Sequence, residues 1–515
     1  MHTFFKNTVL ITALCAAFGG LMTAGTALAT DHGDTALVNG SARNDARLTD
    51  YFALNRGEQL ALIIDTNPTI GFATQAPNQS QTNYIFPTDV KFTANIDNHS
   101  RVSFDNAFNN TNLGGTVVDP SKIQENFTFT FTFDSANKET VIMSSADTEL
   151  GISGFYPTTV NQGDLVYVLG SGFNSEETKV KVNGRRAPFS KVLSDNVLVF
   201  IAPFGGKSGA ISISTEIEDE ATDTESKAKV TSASELVINK FKGFNPDSIQ
   251  KLQNIINNTT ATDLVKAGNV MGLAQIGLPV QTFSGLRDDP FIRVPQQGKN
   301  IAAMAVELPQ SLFTHGRQKV LLSWGTSAFN SISGPSSDLA GRSFATMFTP
   351  EQLSVVDSNN VTHPTLNVLH PSQHIAALEA REAAAPAFGA ATEAVRRTFI
   401  LPCQTPFQPF AALPTPSAPL TALQINCAPG QRMLKTPDVI IFDTTKPQAF
   451  PNGRELNNDQ IDLIGTNYDP RVENLRRAET VVSGNDIQGI PNLASPVVND
   501  VLHDTNFPYL GLRRP

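Results

Sequence analysis

The densest group of ionisable side chains that includes a histidine lies near the start of the chain. His32 is flanked by Asp31 and Asp34, with Asp45 and Asp50 downstream. One imidazole nitrogen and two carboxylates can hold a divalent cation, and an aspartate can equally orient a histidine as a general base. His32, Asp34 and Asp50 are therefore the candidate metal ligands. The alternative is an N-terminal segment tied down by ion pairs to Arg43 or Arg47, which involves no chemistry. Arg287-Asp288-Asp289-Pro290 is the second candidate. Adjacent side chains on extended backbone point to opposite faces, so the two acids are not an automatic pair, and Asp before Pro commonly opens a turn. Arg454 follows the Asn452-Gly453 turn signal, and its guanidinium could grip a carboxylate such as Asp288 or Asp289. Arg287, Asp288, Asp289 and Arg454 thus form a candidate polar cluster.

Other spacings carry less. His370 and His374 stand four apart, a separation that lets two imidazoles share a metal on one helix. His370 precedes Pro371, however, which biases it away from helical dihedrals, and no third ligand is evident. Gly206-Lys207-Ser208 imitates a phosphate-binding loop, but the glycine required five positions before Gly206 is Ile201. No Gly-x-Ser-x-Gly elbow or His-Glu-x-x-His zinc helix occurs.

Composition restricts the partners. The chain has 515 residues, 17% charged, with a formal net charge of −10. That acidity excludes a nucleic-acid binder, which concentrates Lys and Arg. Residues 1–29 read as a secretory signal: Lys6, then an apolar run, then Ala27-Leu28-Ala29 as the small-x-small cleavage site. Cleavage before Thr30 brings the net charge to −11 and removes Cys15, leaving Cys403 and Cys427. An even count in an oxidising compartment predicts a disulfide between these two, closing a proline-rich loop. No later run is long and apolar enough to span a membrane as a helix.

The elements that must position these groups are mostly strands. Leu60 to Ile64 is a short apolar run, and Asn126 to Phe133 alternates Phe and Thr. The alternation predicts a strand with Phe127, Phe129, Phe131 and Phe133 in the core and its threonines on a wet face. Val320 to Trp324 and Asp438 to Phe442 also read as strands. Ile249, Leu252, Ile255 and Ile256 recur at helical spacing after Asn245-Pro246-Asp247, and a second helical stretch runs from Pro371 to about Arg397, broken at Pro386. The acids at 216, 218, 219, 220, 223 and 225 suit a solvated hairpin tip or linker.

Between Gly151 and Val237, short apolar runs alternate with Gly, Asn-Gly and Pro, the pattern of a β-sandwich. Gly163-Asp164, Gly170-Ser-Gly-Phe173, Val182-Asn-Gly184 and Ala202-Pro203 occur in the order of the IPT/TIG immunoglobulin-like fold, which the segment resembles. The resemblance implies a spacer or a protein-binding unit of a surface protein. The flanking sequence carries Asp31-His-Gly-Asp34, Leu48-Thr-Asp-Tyr-Phe-Ala53, Asn67-Pro68, Ile96-Asp-Asn98, Gly285 to Phe291, Val306-Glu-Leu-Pro309, Phe450-Pro-Asn-Gly-Arg454 and Phe507-Pro-Tyr-Leu510. In this order they resemble domain-of-unknown-function family 4331, a group of exported bacterial proteins. Two departures stand out. Arg47 replaces the first acid of the Asp-Ile-Thr-Asp found in that family. Asp97-Asn-His-Ser-Arg101 replaces a calcium-like loop, and Arg101 opposes the charge balance calcium needs.

The expected architecture is mainly β: a discontinuous β-rich core domain over 30–150 and 260–515 with a few helices, an inserted immunoglobulin-like β-sandwich over 151–240, and a helical connector over 241–259. Two functions follow from these readings. The favoured one is an exported, non-catalytic binding or structural protein, periplasmic or extracellular, whose partner is a protein or glycan of the envelope or matrix. The second is a metal-assisted hydrolase using a divalent cation near His32, Asp34, Asp50 and Asp288, and it requires those residues to converge in space.

Overall fold

Strict Phe/Thr alternation can bury only one face, and the strand it forms does that: Phe127, Phe129, Phe131 and Phe133 are buried while the intervening threonines are half-exposed. Each buried phenylalanine contributes about 1.5–3 kcal/mol relative to exposure. A computed structural model describes residues 43–67, 84–104, 115–173, 178–219, 224–288, 300–314, 319–331, 337–341, 355–356, 362–363, 368–384, 437–448, 452–456 and 503–513. The fold is mainly β, as the sequence predicts.

Before the sandwich come β1 (Leu48–Arg56), β2 (Gln59–Thr66), β3 (Val90–Asp97), the short β4 (Val102–Ser103) and β5 (Thr116–Val117), β6 (Phe127–Phe133) and β7 (Glu139–Ser144). The sandwich holds β8 (Gly151–Tyr156), β9 (Thr159–Asn161), β10 (Leu165–Ser171), β11 (Lys179–Val182), β12 (Arg185–Arg186), β13 (Ser190–Ser194), β14 (Val197–Ile201), β15 (Gly209–Asp219) and β16 (Thr224–Asn239). Helices α1 (Pro246–Asn257), α2 (Thr259–Lys266) and α3 (Val270–Gln275) follow. The rest comprises β17 (Gln281–Asp288), β18 (Asn300–Pro309), β19 (Val320–Phe329), β20 (Asp338–Ala340), the short β21 (Val355–Val356) and β22 (Thr362–His363), helix α4 (Pro371–Ala384) and β23 (Ile440–Asp443).

Two sheets form the main core, and each joins strands from both sides of the sandwich. The first has the order β1-β2-β18-β17, and the second β20-β19-β3-β6-β7 with β23 also on β19. Their facing sides share one apolar cluster, in which Leu62, Ile64, Met304 and Val306 meet Phe92, Phe127 and Phe129. A polar stitch crosses that layer. Tyr51 Oη lies 2.6 Å from Ser323 Oγ, which in turn donates to the Asn95 carbonyl at 2.7 Å. Because Ser323 gives its one hydroxyl proton to the Asn95 carbonyl, Tyr51 is the donor between the two hydroxyls, and burial pushes its phenol up. The outer side of the first sheet carries a second apolar layer, Phe52, Leu54, Ile63 and Ala305, closed by Leu456, Tyr509 and Leu510.

The sandwich pairs the sheet β13-β14-β10-β8 with the sheet β12-β11-β15-β16-β9. Val166, Val168, Leu198 and Phe200 point into its own core. The alternate residues Leu165, Tyr167, Leu169, Val197 and Val199 point outward and are buried in the main core instead. Contact is intimate at β8, where a Cβ added to Gly154 would sit 2.0 Å from the Ser311 carbonyl oxygen. Ser311 Oγ donates to the Phe155 carbonyl, and Tyr167 Oη donates to the Ile276 carbonyl. A spacer, one of the two roles the resemblance implies, would hang free; this sandwich is packed into the body of the protein.

Two helical expectations change in detail. The helix after Asn245 forms with Pro246 in its first turn and the Asn245 side chain accepting from the Asp247 amide, but only Ile255 of its apolar stripe is fully buried. Ile249 and Ile256 are exposed, because the helix touches its neighbours along one narrow seam. Helical structure also continues through α2 and α3 to Gln275. As the hairpin reading of the acidic run expects, residues 216, 218 and 219 lie on β15 and residue 225 on β16, which pair antiparallel as far as Asp219 and Thr224.

Candidate functional site

His32, Asp34, Asp289, Cys403 and Cys427 lie outside the described residues. The described candidates are separated by the first sheet. Arg454 Nη2 donates to Asp50 Oδ1 at 2.5 Å, with both side chains buried. Arg454 Nη1 also donates to the Tyr51 carbonyl, and the guanidinium lies 4.8 Å from the Phe52 ring centroid. The Asn452-Gly453 turn delivers it. Asn452 Oδ1 accepts from the Asp443 amide at 2.6 Å, Gly453 has φ +74°, and its amide donates to the Ile441 carbonyl. The carboxylate gripped by Arg454 at 2.5 Å is thus that of Asp50, where Asp288 or Asp289 was the expectation.

Register sets Asp50 and Asp288 apart. Asp50 pairs with Asp65, Asp65 with Ala303, and Ala303 with Gly285, so Asp50 is level with Gly285 on the far edge strand. Three strand spacings of about 4.8 Å place roughly 14 Å between the two edges. Asp288 lies three residues beyond Gly285 and, by strand alternation, faces the opposite side of the sheet. One metal ion with oxygen ligands at about 2.0–2.2 Å cannot join the two. Arg287 faces the Asp50 side, its guanidinium 4.0 Å over the Phe283 ring. Among the described residues no three His, Cys, Asp or Glu side chains are grouped to hold a metal.

The loop in the place of the calcium-like sequence is closed by its own hydrogen bonds. Asp97 accepts from the His99 and Ser100 amides, from Ser100 Oγ and from the Gln124 amide at 2.6–3.2 Å. His370 and His374 also separate in role. His374 is buried on α4; its Nδ1 accepts from the Asp438 amide and its Nε2 faces the Leu369 carbonyl. His370 caps the same helix: its Nδ1 accepts from the Ser372 amide, while Gln373 Oε1 accepts from the His370 amide. That is a capping-box pattern. The Ser372 hydroxyl lies 2.7 Å from His370 Nδ1 within that cap.

The other ring nitrogen of His370 points to a different site. His370 Nε2 is 2.9 Å from Glu125 Oε1, at the rim of a cleft of about 350 Å³ on the outer face of the second sheet. Strand register builds the floor. One cross-strand row runs Trp324, Asn95, Thr128, Ser144, and the next runs Thr326, Thr93, Thr130. Thr93 and Thr130 hydroxyls lie 3.2 Å apart, Thr128 and Ser144 hydroxyls 2.7 Å. Asn95 Nδ2 donates to the Trp324 carbonyl at 3.1 Å. Trp324 meets the His370 ring edge-on at 5.7 Å and forms the buried end of the wall.

The cleft is rich in hydroxyl and amide groups and holds one carboxylate and one imidazole. Burial raises the Glu125 carboxyl, but the adjacent His370 imidazole outweighs it and holds Glu125 below its ordinary value. Each hydroxyl keeps spare lone pairs beyond its strand-to-strand contact. The wet threonine face was visible in the alternation of β6. Its alignment with Asn95, Ser144 and Trp324 depends on register between strands distant in sequence.

Residues 150–230 match the family model described as the IPT/TIG domain. No curated protein matches the chain. Solved structures share limited likeness. One is an auxiliary nutrient binding protein from Bacteroides ovatus ATCC 8483, 18% identical over 18% of this chain and 21% of that one, with a TM-score of 0.15. Another is gamma-CGTase from alkalophilic Bacillus clarkii, 11% identical over 54% of this chain and 35% of that one, also with a TM-score of 0.15. The chain spans well under two thirds of either length. The strands from Gly151 to Val230 are therefore an IPT/TIG domain, of immunoglobulin-like fold, carried within a larger β-rich chain.

Proposed function

We propose that the protein is an exported, non-catalytic binding protein of the periplasm or extracellular space, which holds an uncharged, hydroxyl-rich ligand such as an envelope glycan. The observation that carries this reading is the cleft floored by Thr93, Asn95, Thr128 and Thr130 and rimmed by Glu125 and His370. Such a lining offers many directional donors and acceptors and little net charge, which suits sugar hydroxyls better than a phosphate or a cationic peptide. The hydrolase alternative loses support, since Asp50 is engaged by Arg454 and Asp288 faces away from it.

Membership of the exported family 4331 is part of the same proposal. Its support is that the motifs carrying the resemblance converge on one another: Asp50 meets Arg454, and Glu307 accepts from Tyr509. Export predicts a mature N-terminus at Thr30 and a Cys403–Cys427 bridge, checked by N-terminal sequencing and non-reducing peptide mapping of the secreted protein. The ligand is tested by titrating the mature protein with neutral oligosaccharides (maltotriose, cellotriose and chitotriose) while following amide shifts. Saturable shifts at Thr128, Thr130 and Asn95, lost in Thr128→Val/Thr130→Val, are expected. No shift with any of the three sugars overturns the glycan reading.

A further inference from the structure

A separate surface lies where the sandwich gives way to α1. Phe204, Phe241 and Phe244 are 37%, 46% and 65% exposed, yet they contact one another. Their ring centroids are 5.5–5.8 Å apart and their planes 73–81° apart, a closed edge-to-face triangle. The cluster is held from beneath. Phe204 packs on Gly163, where an added Cβ would come within 2.9 Å of the ring. Gln162 clamps the next two residues, accepting from the Gly205 amide and donating to the Gly206 carbonyl. Ser208 Oγ accepts from the Ile238 amide, tying this turn to the end of β16, and Asn245 starts α1 directly after Phe244.

Four exposed cations lie close to the rings, three of them along the chain. Lys240 and Lys242 flank Phe241, Lys207 follows Phe204, and the Arg185 guanidinium lies over Gly205 at 3.3 Å from its Cβ position. All four are exposed, and among the described residues none forms an ion pair. Of the neighbouring acids, Asp247 is paired with Lys251 at 3.2 Å, and Asp164 is buried and accepts from the Asn161 amide and Ser248 Oγ. In a chain with net charge −10, four exposed cations on or beside the segments that carry three exposed rings concentrate positive charge locally.

We infer that the Phe204–Phe241–Phe244 triangle and its ring of Lys207, Lys240, Lys242 and Arg185 dock the protein peripherally on an anionic lipid surface. Lysine is depleted from protein–protein interfaces, where Tyr, Trp and Arg supply the anchors, and none of the three rings carries a polar handle. At a bilayer the same combination is complementary: rings enter the headgroup–acyl boundary and lysines reach the anionic headgroups. Repulsion from the acidic remainder of the chain is screened beyond about 8 Å at physiological salt, so the local patch governs contact. This needs no spanning segment, and no described helix is long and apolar enough to cross a membrane.

The test is co-sedimentation of the mature protein with vesicles of phosphatidylcholine alone and of phosphatidylcholine mixed with phosphatidylglycerol. Sedimentation with the mixed vesicles only, reversed by high salt, is expected. Phe204→Ser/Phe241→Ser/Phe244→Ser should weaken it more than tenfold with the melting temperature preserved. Lys240→Glu/Lys242→Glu leaves the rings intact and should weaken it about fivefold or more per cation lost. Equal sedimentation with both vesicle types, no sedimentation with either, or variants that sediment like the unaltered protein would overturn the inference.

Discussion

Arg454 and Asp50, 404 positions apart in the chain, form a fully buried ion pair at 2.5 Å. The pair fastens the turn after β23 to the first strand of the core and occupies an acid that would otherwise be available to a metal. Removing one partner takes the close opposite charge at 2.5 Å away from the other buried side chain. Arg454→Met should therefore destabilise the protein by about 3–5 kcal/mol in urea denaturation. Arg454→Met combined with Asp50→Leu should recover much of that loss, because the two opposite charges leave together. Equal losses in the single and double variants would contradict this account.

Tyr509 and Glu307 tie down the C-terminal segment. The Tyr509 hydroxyl donates to the buried Glu307 carboxylate, while the Arg56 guanidinium lies 4.7 Å over the tyrosine ring. Tyr509→Phe keeps the packing and deletes the donor, at an expected cost of about 1.5–3 kcal/mol. Hydrogen exchange should rise in residues 503–513 before it rises in β6.

The Glu125–His370 contact makes a prediction about pH. Glu125 has a lowered folded value, so its contribution to stability is complete above its ordinary value near 4.3 and is lost as pH falls through the folded value. Glu125→Gln should flatten the acid limb of melting temperature against pH and leave the curve above about pH 5 parallel to that of the unaltered protein. An unchanged acid limb would show that the pair contributes nothing.

Gly154 has no room for a side chain against the backbone of Ser311 and Leu312. Gly154→Val must move either β8 or the 310–312 turn, at an expected cost of more than about 3 kcal/mol. Calorimetry should show a lowered melting transition, and Gly184→Ala, with open space around it, should be much milder despite its φ of +78°.

Patterns with a period of two or a punctuated turn were legible in the residues alone. β6 declared its buried face through Phe127 to Phe133, and the Gly and Asn-Gly punctuation of 151–237 announced the sandwich. Long-range pairing was not legible, because nothing in the spacing of Arg454 distinguishes Asp50 from Asp288. That choice is made by the β1-β2-β18-β17 order, which puts the two acids on opposite edges. The cleft escaped for the same reason: Thr128, Asn95 and Trp324 become neighbours only through the pairing of β6, β3 and β19. Helical spacing was enough to place α1 but not its buried side, and Ile249 and Ile256 are exposed because burial depends on what the helix meets.

Strands β10 and β14 serve two interiors at once, and this bears on how the protein can be handled in parts. An excised copy of residues 150–239 would expose Leu165, Tyr167, Leu169, Val197 and Val199 together on one flat face. Such a fragment should be sticky and self-associating, while the remainder would be left with an open socket. The sandwich is not a removable cassette, and its sequence cannot drift toward that of a free-standing relative without changes in the host around it.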